Sequence, residues 1–446
     1  MFLKTWKICY ICKKKLICSI IRLSCLFKIL FSPLIFSRFY VMPYLMKNKK
    51  FYFLIIFSVA LLFSSLRIIK YFPTSNFGDE VTYYLQAKNV AEYGIYGYQL
   101  NAKAFLNDSI SQLYPPPIRI AHIFFDAIAL KFSNTFIALS YLSLIFYLLH
   151  CIVSFFYIKK IWGPTASFLA GLLICFSPLS CGLAGRALSE SGYYLFFTLS
   201  LFIFIDYLTK PDLIKMILFI LFFSLCIQIR ESAVFILPFF SGMLLIQKFY
   251  LKKSLKIIHI LTLVLSPLLI SFCIYIFALG DINKVVDIFM VIGKINIAVP
   301  HTYILWYNSG PWYQYFVDYF MLSPFTSLLF LLFAGYYIPI QKNWNQQLNI
   351  LFLFFIYFIV VYSFLPKNVR YAQSLDLIYR IGSALMIIKL FANSNLSTQI
   401  KKAIFISSFT LLIINDSFSY RNFFIIHNIY DPMSYNLLTA AGFFAG

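Results

Sequence analysis

The chain has 446 residues, of which 61% are hydrophobic, 20% aromatic and only 12% charged. Ordinary soluble domains carry about twice that charged fraction, so the composition excludes a soluble globular protein. The formal net charge of +22 would suit a nucleic-acid-binding protein, but the lysines lie in clusters between apolar segments, as in membrane proteins. We therefore expect an all-α polytopic membrane protein.

The first 50 residues mix lysines, cysteines and apolar residues without a clean span, and we expect them to form a cytoplasmic arm. A more ordinary membrane-protein start, MKNKKFYFLIIF, begins at Met46. The natural chain is therefore expected to start at Met46, or the arm before it to be dispensable. Cys9 and Cys12 form a CxxC without a second pair, which is weak evidence for metal or redox chemistry.

Apolar segments of the ~20 residues needed to cross a bilayer recur along residues 51–417, which form one predicted transmembrane domain. Lys47, Lys49 and Lys50 precede the first span and place the N-terminus in the cytoplasm. The pattern predicts about eleven spans, within a range of about ten to thirteen. The segments expected on the outer side are two loops and a tail: residues 71–133, 280–318 and 418–446.

The direction of every later span depends on Ile118–Lys131, an apolar segment of about 14 residues that is too short to cross a bilayer. We predict an interfacial helix here, in the first outer loop. With this choice, clusters such as Lys159 and Lys160 face the cytoplasm, as the positive-inside rule requires. If Ile118–Lys131 crossed the membrane, all of these lysine clusters would face the outer side.

This topology gathers charged residues from separate loops at the outer face of the membrane. They are Asp79, Glu80, Arg119, Arg186, Glu190, Arg230, Glu231 and Arg370. Ionisable groups at the ends of spans cost free energy unless they pair or serve a function. Arg186 with Glu190, and Arg230 with Glu231, can also be ordinary interfacial ion pairs. It is their gathering on one face that favours a functional site.

Carboxylates and arginines at the surface of a membrane suit the transfer of a sugar from a polyprenyl phosphate. Because the leaving group is a phosphate, this reaction needs one base and no general acid. The base removes a proton from the acceptor hydroxyl, and cations stabilise the charge on the departing phosphate. Arginine suits the second role because its planar fork binds phosphate through two hydrogen bonds.

Six segments resemble glycosyltransferase family 39, a branch of the C-type membrane glycosyltransferases that includes protein O-mannosyltransferases and the aminoarabinose transferase of lipid A. The segments are GDEVTYYLQAKNVAEYGIYG, YPPPIRIAHIF, GRALSESGYYLFFTLSLFIF, IQIRESAVFILPFF, PWYQYFVDYFMLSPF and KNVRYAQSLDLIY. The resemblance extends over most of Phe51–Leu390, and its specificity comes from the order and spacing of the motifs.

The resemblance implies the C-type fold and an inverting transferase in a bacterial plasma membrane, with its active site on the outer face. The donor would be a polyprenyl-phosphate-linked sugar, and the acceptor a lipid, a glycan or a protein. Asp79 would be the general base with Glu80 beside it, and Glu190 the second acidic position. The residues implied at the donor phosphate are Arg186, Arg230, Arg370 and Tyr371.

Two motifs depart from the family pattern. Relatives often carry an acid or a lysine before the loop proline, where this chain has Leu113 and Tyr114, so a metal or phosphate contact at that point is in doubt. The last motif lacks the usual prolines and has Asp376 and Arg380, whose spacing predicts a structural i,i+4 ion pair.

A divalent metal ion is left open as a cofactor. The five histidines form no metal-ligand spacing, and only His301, in the second outer loop, can join Asp79 or Glu190 around a cation. The aromatic cluster near His301 fits an interfacial belt better than a sugar platform. Its members are Trp306, Tyr307, Trp312, Tyr313 and Tyr315.

Two other function classes share the multi-pass plan. A transporter or flippase of a lipid-linked saccharide would also need outward arginines, but transporters tend to show internal repeats and ionisable groups near the midplane of the membrane. An oligosaccharide polymerase or ligase would be expected to have its functional loop later in the chain, near the arginines.

Overall fold

The fold is built from helices joined by short connections. The computed structural model describes residues 49–72, 78–250, 256–298, 310–340, 346–364, 368–392, 397–429, 432 and 434–442, and every element within these ranges is helical. Residues from Phe57 onward form one unit, which contains the site described below. The predicted start at Met46, nearly all of the N-terminal arm and His301 lie outside the described residues.

The first predicted span is present as helix α1, Lys49–Lys70. Two further helices follow, α2 (Asp79–Tyr93) and α3 (Ile95–Asn107). These two helices pack so closely that a Cβ atom at Gly97 would lie 1.9 Å from the carbonyl oxygen of Asn89. A glycine is therefore required at this crossing.

The predicted interfacial helix is also present, as α4 (Ile120–Phe132), which is 13 residues long. It follows a 3₁₀ turn at Ser111–Leu113 and the proline run. Most of its inward-facing side chains are buried against neighbouring helices. Its length is below what a span requires, in agreement with the prediction.

The long helix α5, Ile137–Cys175, is broken at Gly163, whose φ of 87° lies in the region that favours glycine. Pro164 follows directly and cannot donate to the preceding turn. The break comes shortly after Lys159 and Lys160 and separates the helix into two arms. The short helix α6, Pro178–Ala184, comes next.

The remaining helices follow in chain order. They are α7 (Glu190–Thr209), α8 (Leu213–Ile229), α9 (Leu237–Leu245), α10 (Ile257–Leu279), α11 (Ile282–Ala298), α12 (Gln314–Leu322), α13 (Pro324–Ile340), α14 (Gln346–Tyr362), α15 (Gln373–Ala392), α16 (Thr398–Tyr420) and α17 (Ser434–Ala440). Single 3₁₀ or π turns lie at Glu231–Ile236, Ile246–Tyr250, Val369–Ala372 and Arg421–Ile426.

In the described part of the chain, six helices are long and apolar enough to cross a membrane, and three shorter helices are apolar. The polytopic helical fold is therefore confirmed, whereas the predicted number of about eleven spans is not. The apolar segment at residues 319–340 is divided between two helices, since α12 ends at Leu322 and α13 begins at Pro324. Proline favours such a boundary because it has no backbone N–H to donate.

Helix α7 forms the centre of the core, packed between α5, α8 and α15. Its aromatic side chains Phe197, Phe202 and Phe204 are fully buried. A helix that is apolar on all sides is expected in such an enclosed position. Because α7 is enclosed, its first residue, Glu190, is held in a fixed place at one end of the core.

A buried ion network joins three helices near the same end of the core. Arg380 Nε lies 3.0 Å from Asp376 Oδ1, and its Nη1 donates to Asp416 Oδ2. Arg380 also donates to Thr326 Oγ1 at 3.1 Å and to Ser323 Oγ at 2.8 Å. The predicted i,i+4 pair is thus confirmed, and it is part of a larger network that holds α15 against α13 and α16.

Candidate active site

Two neighbouring carboxylates begin α2 and point into different environments. Gly78 precedes them with a φ of 49°, which lets the chain turn into the helix. Acidic side chains in a first helical turn are stabilised by the helix dipole. The Asp79 side chain is 24% exposed, whereas the Glu80 side chain is fully buried. Asp79 is therefore the member of the pair that an incoming molecule can reach.

Glu80 is fixed by the loop between α6 and α7. Its Oε1 accepts a hydrogen bond from the backbone N–H of Ala187 at 2.8 Å, and its Oε2 lies 3.7 Å from Arg186 Nη1. Arg186 Nη2 in turn donates to Asn428 Oδ1 at 2.7 Å. These contacts tie the start of α2 to the C-terminal segment.

Asp79 contacts a chain of buried charges. Arg370 Nη2 donates to Asp79 Oδ2 at 2.9 Å, and Arg370 Nε lies 3.6 Å from Glu190 Oε1. Arg230 Nη1 reaches the same Glu190 oxygen at 3.3 Å. The side chains of Glu190, Arg230 and Arg370 are only 4%, 5% and 8% exposed. The accessible acid is thus backed by two enclosed guanidinium groups.

Both guanidinium groups are placed by local backbone structure. Arg230 follows the last residue of α8 in an extended conformation. Arg370 lies in the Val369–Ala372 3₁₀ turn, where its backbone N–H is capped by Asn368 Oδ1 at 3.1 Å. The Tyr371 ring centre is 4.4 Å from Arg230 Cζ and 5.3 Å from Arg370 Cζ. The Tyr371 ring therefore lies within cation–π distance of both guanidinium groups.

A second ion pair lies beside this chain. Arg119 binds Glu231 with both arms of its fork, at 2.8 Å from Nε and 2.6 Å from Nη2. Its Nη1 donates to Tyr83 Oη, which donates to Ser189 Oγ at 3.3 Å. Burial raises the pKa of Tyr83 to about 12, so this hydroxyl keeps its proton at physiological pH.

The residues of the site balance in charge. Four carboxylates, of Asp79, Glu80, Glu190 and Glu231, face four guanidinium groups, of Arg119, Arg186, Arg230 and Arg370. Each member contacts a partner from a different segment of the chain. A negatively charged ligand must therefore compete with carboxylates that are already in place.

The structure brings together every acid, arginine and tyrosine that the sequence predicted at the site. It corrects the pairing, because Arg186 contacts Glu80 and Arg230 contacts Glu190, while Glu231 contacts Arg119. The alternative of two ordinary pairs between sequence neighbours is therefore not what holds these charges.

Two contributors, Tyr83 and Asn428, had no role in the sequence analysis, because nothing in the sequence distinguished them from their neighbours. Arg119 and Glu231 were expected among the charges of the site, but nothing in the sequence paired them. Their places are set by tertiary contacts alone.

The described residues of the site do not fit a divalent metal ion. Within the described ranges, no group of three or more His, Cys, Asp or Glu side chains is arranged to hold one. Asp79 and Glu190, the acids considered as ligands, both contact Arg370, so a cation already lies between them.

The aromatic cluster at residues 306–315 is only partly described. Trp312 and Tyr313 are exposed, at 62% and 50%, while Tyr315 is buried. Exposed rings beside apolar helices are typical of an interfacial belt. Trp306 and Tyr307 lie outside the described residues.

No family model and no curated protein matches this chain. Among solved structures, the oligosaccharyltransferase of Archaeoglobus fulgidus tethered with an acceptor peptide matches with a TM-score of 0.53 and 13% identity, over 83% of this chain and 56% of that one. The same protein in complex with Zn and sulfate matches with a TM-score of 0.51 and 11% identity, over 81% and 52%. ArnT from Cupriavidus metallidurans in the apo state matches with a TM-score of 0.52 and 12% identity, over 82% and 75%.

The chain thus spans little more than half the length of the archaeal structures that it matches. At these identities the similarity concerns the fold. The chain therefore shares its fold with the archaeal oligosaccharyltransferase and with ArnT, in agreement with the fold that the sequence motifs predicted.

Proposed function

We propose that this chain is an inverting glycosyltransferase that moves a sugar from a polyprenyl-phosphate donor to an acceptor hydroxyl of a lipid, glycan or protein. The reaction would take place at the outer face of a bacterial plasma membrane, with the N-terminus in the cytoplasm. The observation that carries the proposal is the contact chain Asp79–Arg370–Glu190–Arg230, in which an accessible acid adjoins two buried guanidinium groups.

Asp79 is the proposed general base. It is the most exposed of the three acids at the starts of α2 and α7, and an incoming acceptor hydroxyl can reach it beside Arg370. The acceptor O–H bond breaks as its oxygen attacks the anomeric carbon, and the proton moves to Asp79. A single displacement of this kind inverts the configuration at that carbon.

Arg230 and Arg370 are the proposed phosphate ligands. As the bond between the anomeric carbon and the phosphate oxygen breaks, its electron pair stays on the phosphate. Two enclosed guanidinium groups stabilise that growing charge far better than they would in water. Because Arg370 also contacts Asp79, one side chain would adjoin both the proton acceptor and the leaving group.

An apolar groove next to the charges suits the lipid chain of the donor. It has a volume of about 470 Å³ and is lined by residues of α8, α10 and α11, among them Leu269 and Phe272. Glu231 borders it and directly follows Arg230. A polyprenyl chain in this groove would bring its phosphate to the buried arginines.

The test is direct transfer by the purified protein. The protein is incubated with a panel of radiolabelled polyprenyl-phosphate sugars and with membrane lipids, glycans or peptides as acceptors, and Asp79→Asn serves as the inactive variant. We expect label to leave one donor for an acceptor fraction, and the Asn variant to lose about 10²-fold or more of the rate. Full activity in a folded Asn variant would refute the base.

The same experiment separates the enzyme from a transporter. A flippase reconstituted in vesicles would move the labelled donor across the bilayer and leave the sugar on its phosphate. Transbilayer movement without a labelled product in any acceptor fraction would therefore contradict the proposal.

A further inference from the structure

Glu190 is held more loosely than the other acids of the site. Its Oε1 lies 3.3 Å from Arg230 Nη1 and 3.6 Å from Arg370 Nε, although all three side chains are buried. Strong charge-assisted hydrogen bonds measure about 2.7–2.9 Å. The Arg119–Glu231 pair, at 2.6 and 2.8 Å, meets that standard. Two guanidinium groups thus share one carboxylate oxygen, and neither lies at the distance of a strong hydrogen bond.

The second oxygen of Glu190 points to the same conclusion. Oε2 is buried and accepts no hydrogen bond among the described residues. A buried carboxylate with a purely structural role would be expected to accept hydrogen bonds at both oxygens. A phosphate carries more acceptor oxygens in a tetrahedral array, so it can reach two separated forks at once. The position is also the first residue of α7, where the helix dipole favours an anion.

We propose that Glu190 is an internal substitute for the donor phosphate. Without donor, its carboxylate neutralises Arg230 and Arg370, and the polyprenyl phosphate displaces it from both. This inference rests on the proposed function. Glu190 is then a positioning residue that weakens donor binding, and it is not a second catalytic acid.

Such a competitor has two physical consequences. When no donor is bound, it avoids the free-energy cost of leaving two buried cations unpaired. It also competes with the product, polyprenyl phosphate, and so favours product release after transfer. Removing the charge should tighten binding of the phosphate and slow turnover together.

The experiment measures binding of a short polyprenyl phosphate without sugar to the purified full chain by calorimetry in detergent. For Glu190→Gln we expect a Kd about tenfold lower than that of the unaltered protein, together with a lower kcat. Glu92→Gln is the control. It removes the same unit charge at an exposed position of α2, paired with Lys88 and outside the contact chain of Arg230 and Arg370, so its Kd should stay within about twofold.

The outcomes separate this inference from the proposed function. If the unaltered protein binds the phosphate and Glu190→Gln binds it equally or more weakly, the inference fails and the proposed function stands. Equal tightening in both variants would show a general effect of charge and would also overturn it. If no variant binds, both proposals fail.

A second variant guards against a folding defect. If Glu190→Gln does not purify in one monodisperse form, Glu190→Asp is measured instead. It withdraws the carboxylate by one methylene group and weakens its reach to both arginines. Tighter binding of the phosphate would support the inference, and unchanged binding would overturn it.

Discussion

Arg370 donates to Asp79 at 2.9 Å across 291 residues of sequence. The contact joins the start of α2 to the 3₁₀ turn before α15, two segments that the sequence motifs matched separately. It couples a proposed proton acceptor to a proposed phosphate ligand through one guanidinium group. Replacing that group should therefore affect binding and chemistry together.

The first prediction compares Arg370→Lys with Arg230→Lys. Lysine keeps the charge but loses the planar fork. We expect both variants to raise the donor KM by about tenfold or more, and the acceptor KM to change by less than about twofold. Only Arg370→Lys should also lower kcat, because only Arg370 contacts Asp79. Initial rates with donor and acceptor varied in turn provide the measurement.

The half-buried Arg421 in the C-terminal π turn provides the control for these variants. Arg421→Lys makes the same chemical change away from Asp79 and Glu190, and its kinetics should match the unaltered protein. Equal increases in donor and acceptor KM for Arg370→Lys would contradict the assignment to the phosphate.

The second prediction concerns the buried network around Arg380. Arg380→Met leaves the carboxylates of Asp376 and Asp416 without their guanidinium group, which should cost about 3–5 kcal/mol of folding stability. Replacing all three by apolar residues, as Arg380→Met with Asp376→Leu and Asp416→Leu, should cost less, because no uncompensated charge remains buried.

Thermal unfolding in detergent gives the comparison. A triple variant that melts below the single variant would show that the network contributes more to stability than apolar packing could replace. The same variants report on the site, because the network holds α15 directly after the turn that carries Arg370.

Helical architecture was predictable from the sequence because long apolar segments have few alternatives in a membrane. The first span, the interfacial helix and the break at Gly163 each follow from length, proline or glycine. The gathering of charged residues from separate segments was predictable from the positive-inside rule and from motif order. In each case a local pattern determined the outcome.

Partner choice within the site could not be predicted in this way. Arg230 contacts Glu190 instead of its sequence neighbour Glu231. The backbone is extended at Arg230, so the side chains of Arg230 and Glu231 point in different directions. Asp416 joins Arg380 from α16, 36 residues further along the chain. Such contacts depend on how helices are arranged, and one sequence carries no direct record of that arrangement.

The third prediction uses the buried His122, which lies 3.3 Å from Asp126 beneath the Tyr83 ring. Burial lowers the pKa of His122 from 6.5 to about 3 and raises the pKa of Asp126 well above 3.8. The folded chain thus keeps His122 neutral where the unfolded chain protonates it. The stability linked to His122 is full above about pH 6.5 and is lost as pH falls towards 3.

His122→Asn removes this titration. The melting temperature of the variant should fall less steeply than that of the unaltered protein between about pH 6.5 and 4. His427→Asn, at an exposed histidine, is the control and should retain the original slope. Parallel curves for His122→Asn and the unaltered protein would contradict the expected burial of a neutral imidazole.

The last prediction concerns Asn428, whose φ of 45° places it in the left-handed region. Asparagine tolerates this conformation better than most residues, and its Oδ1 accepts a hydrogen bond from Arg186 at 2.7 Å. Asn428→Gly keeps the backbone conformation but removes the acceptor, and Asn428→Asp keeps both. We expect the Gly variant to lose about three- to tenfold in kcat/KM for transfer, because Arg186 no longer steadies Glu80 beside Asp79.

The Asp variant should stay within about twofold of the unaltered protein, and both should melt within a few degrees of it. Equal losses in the two variants would mean that the side-chain oxygen of Asn428 does not support the site, and that the C-terminal segment acts only through its packing.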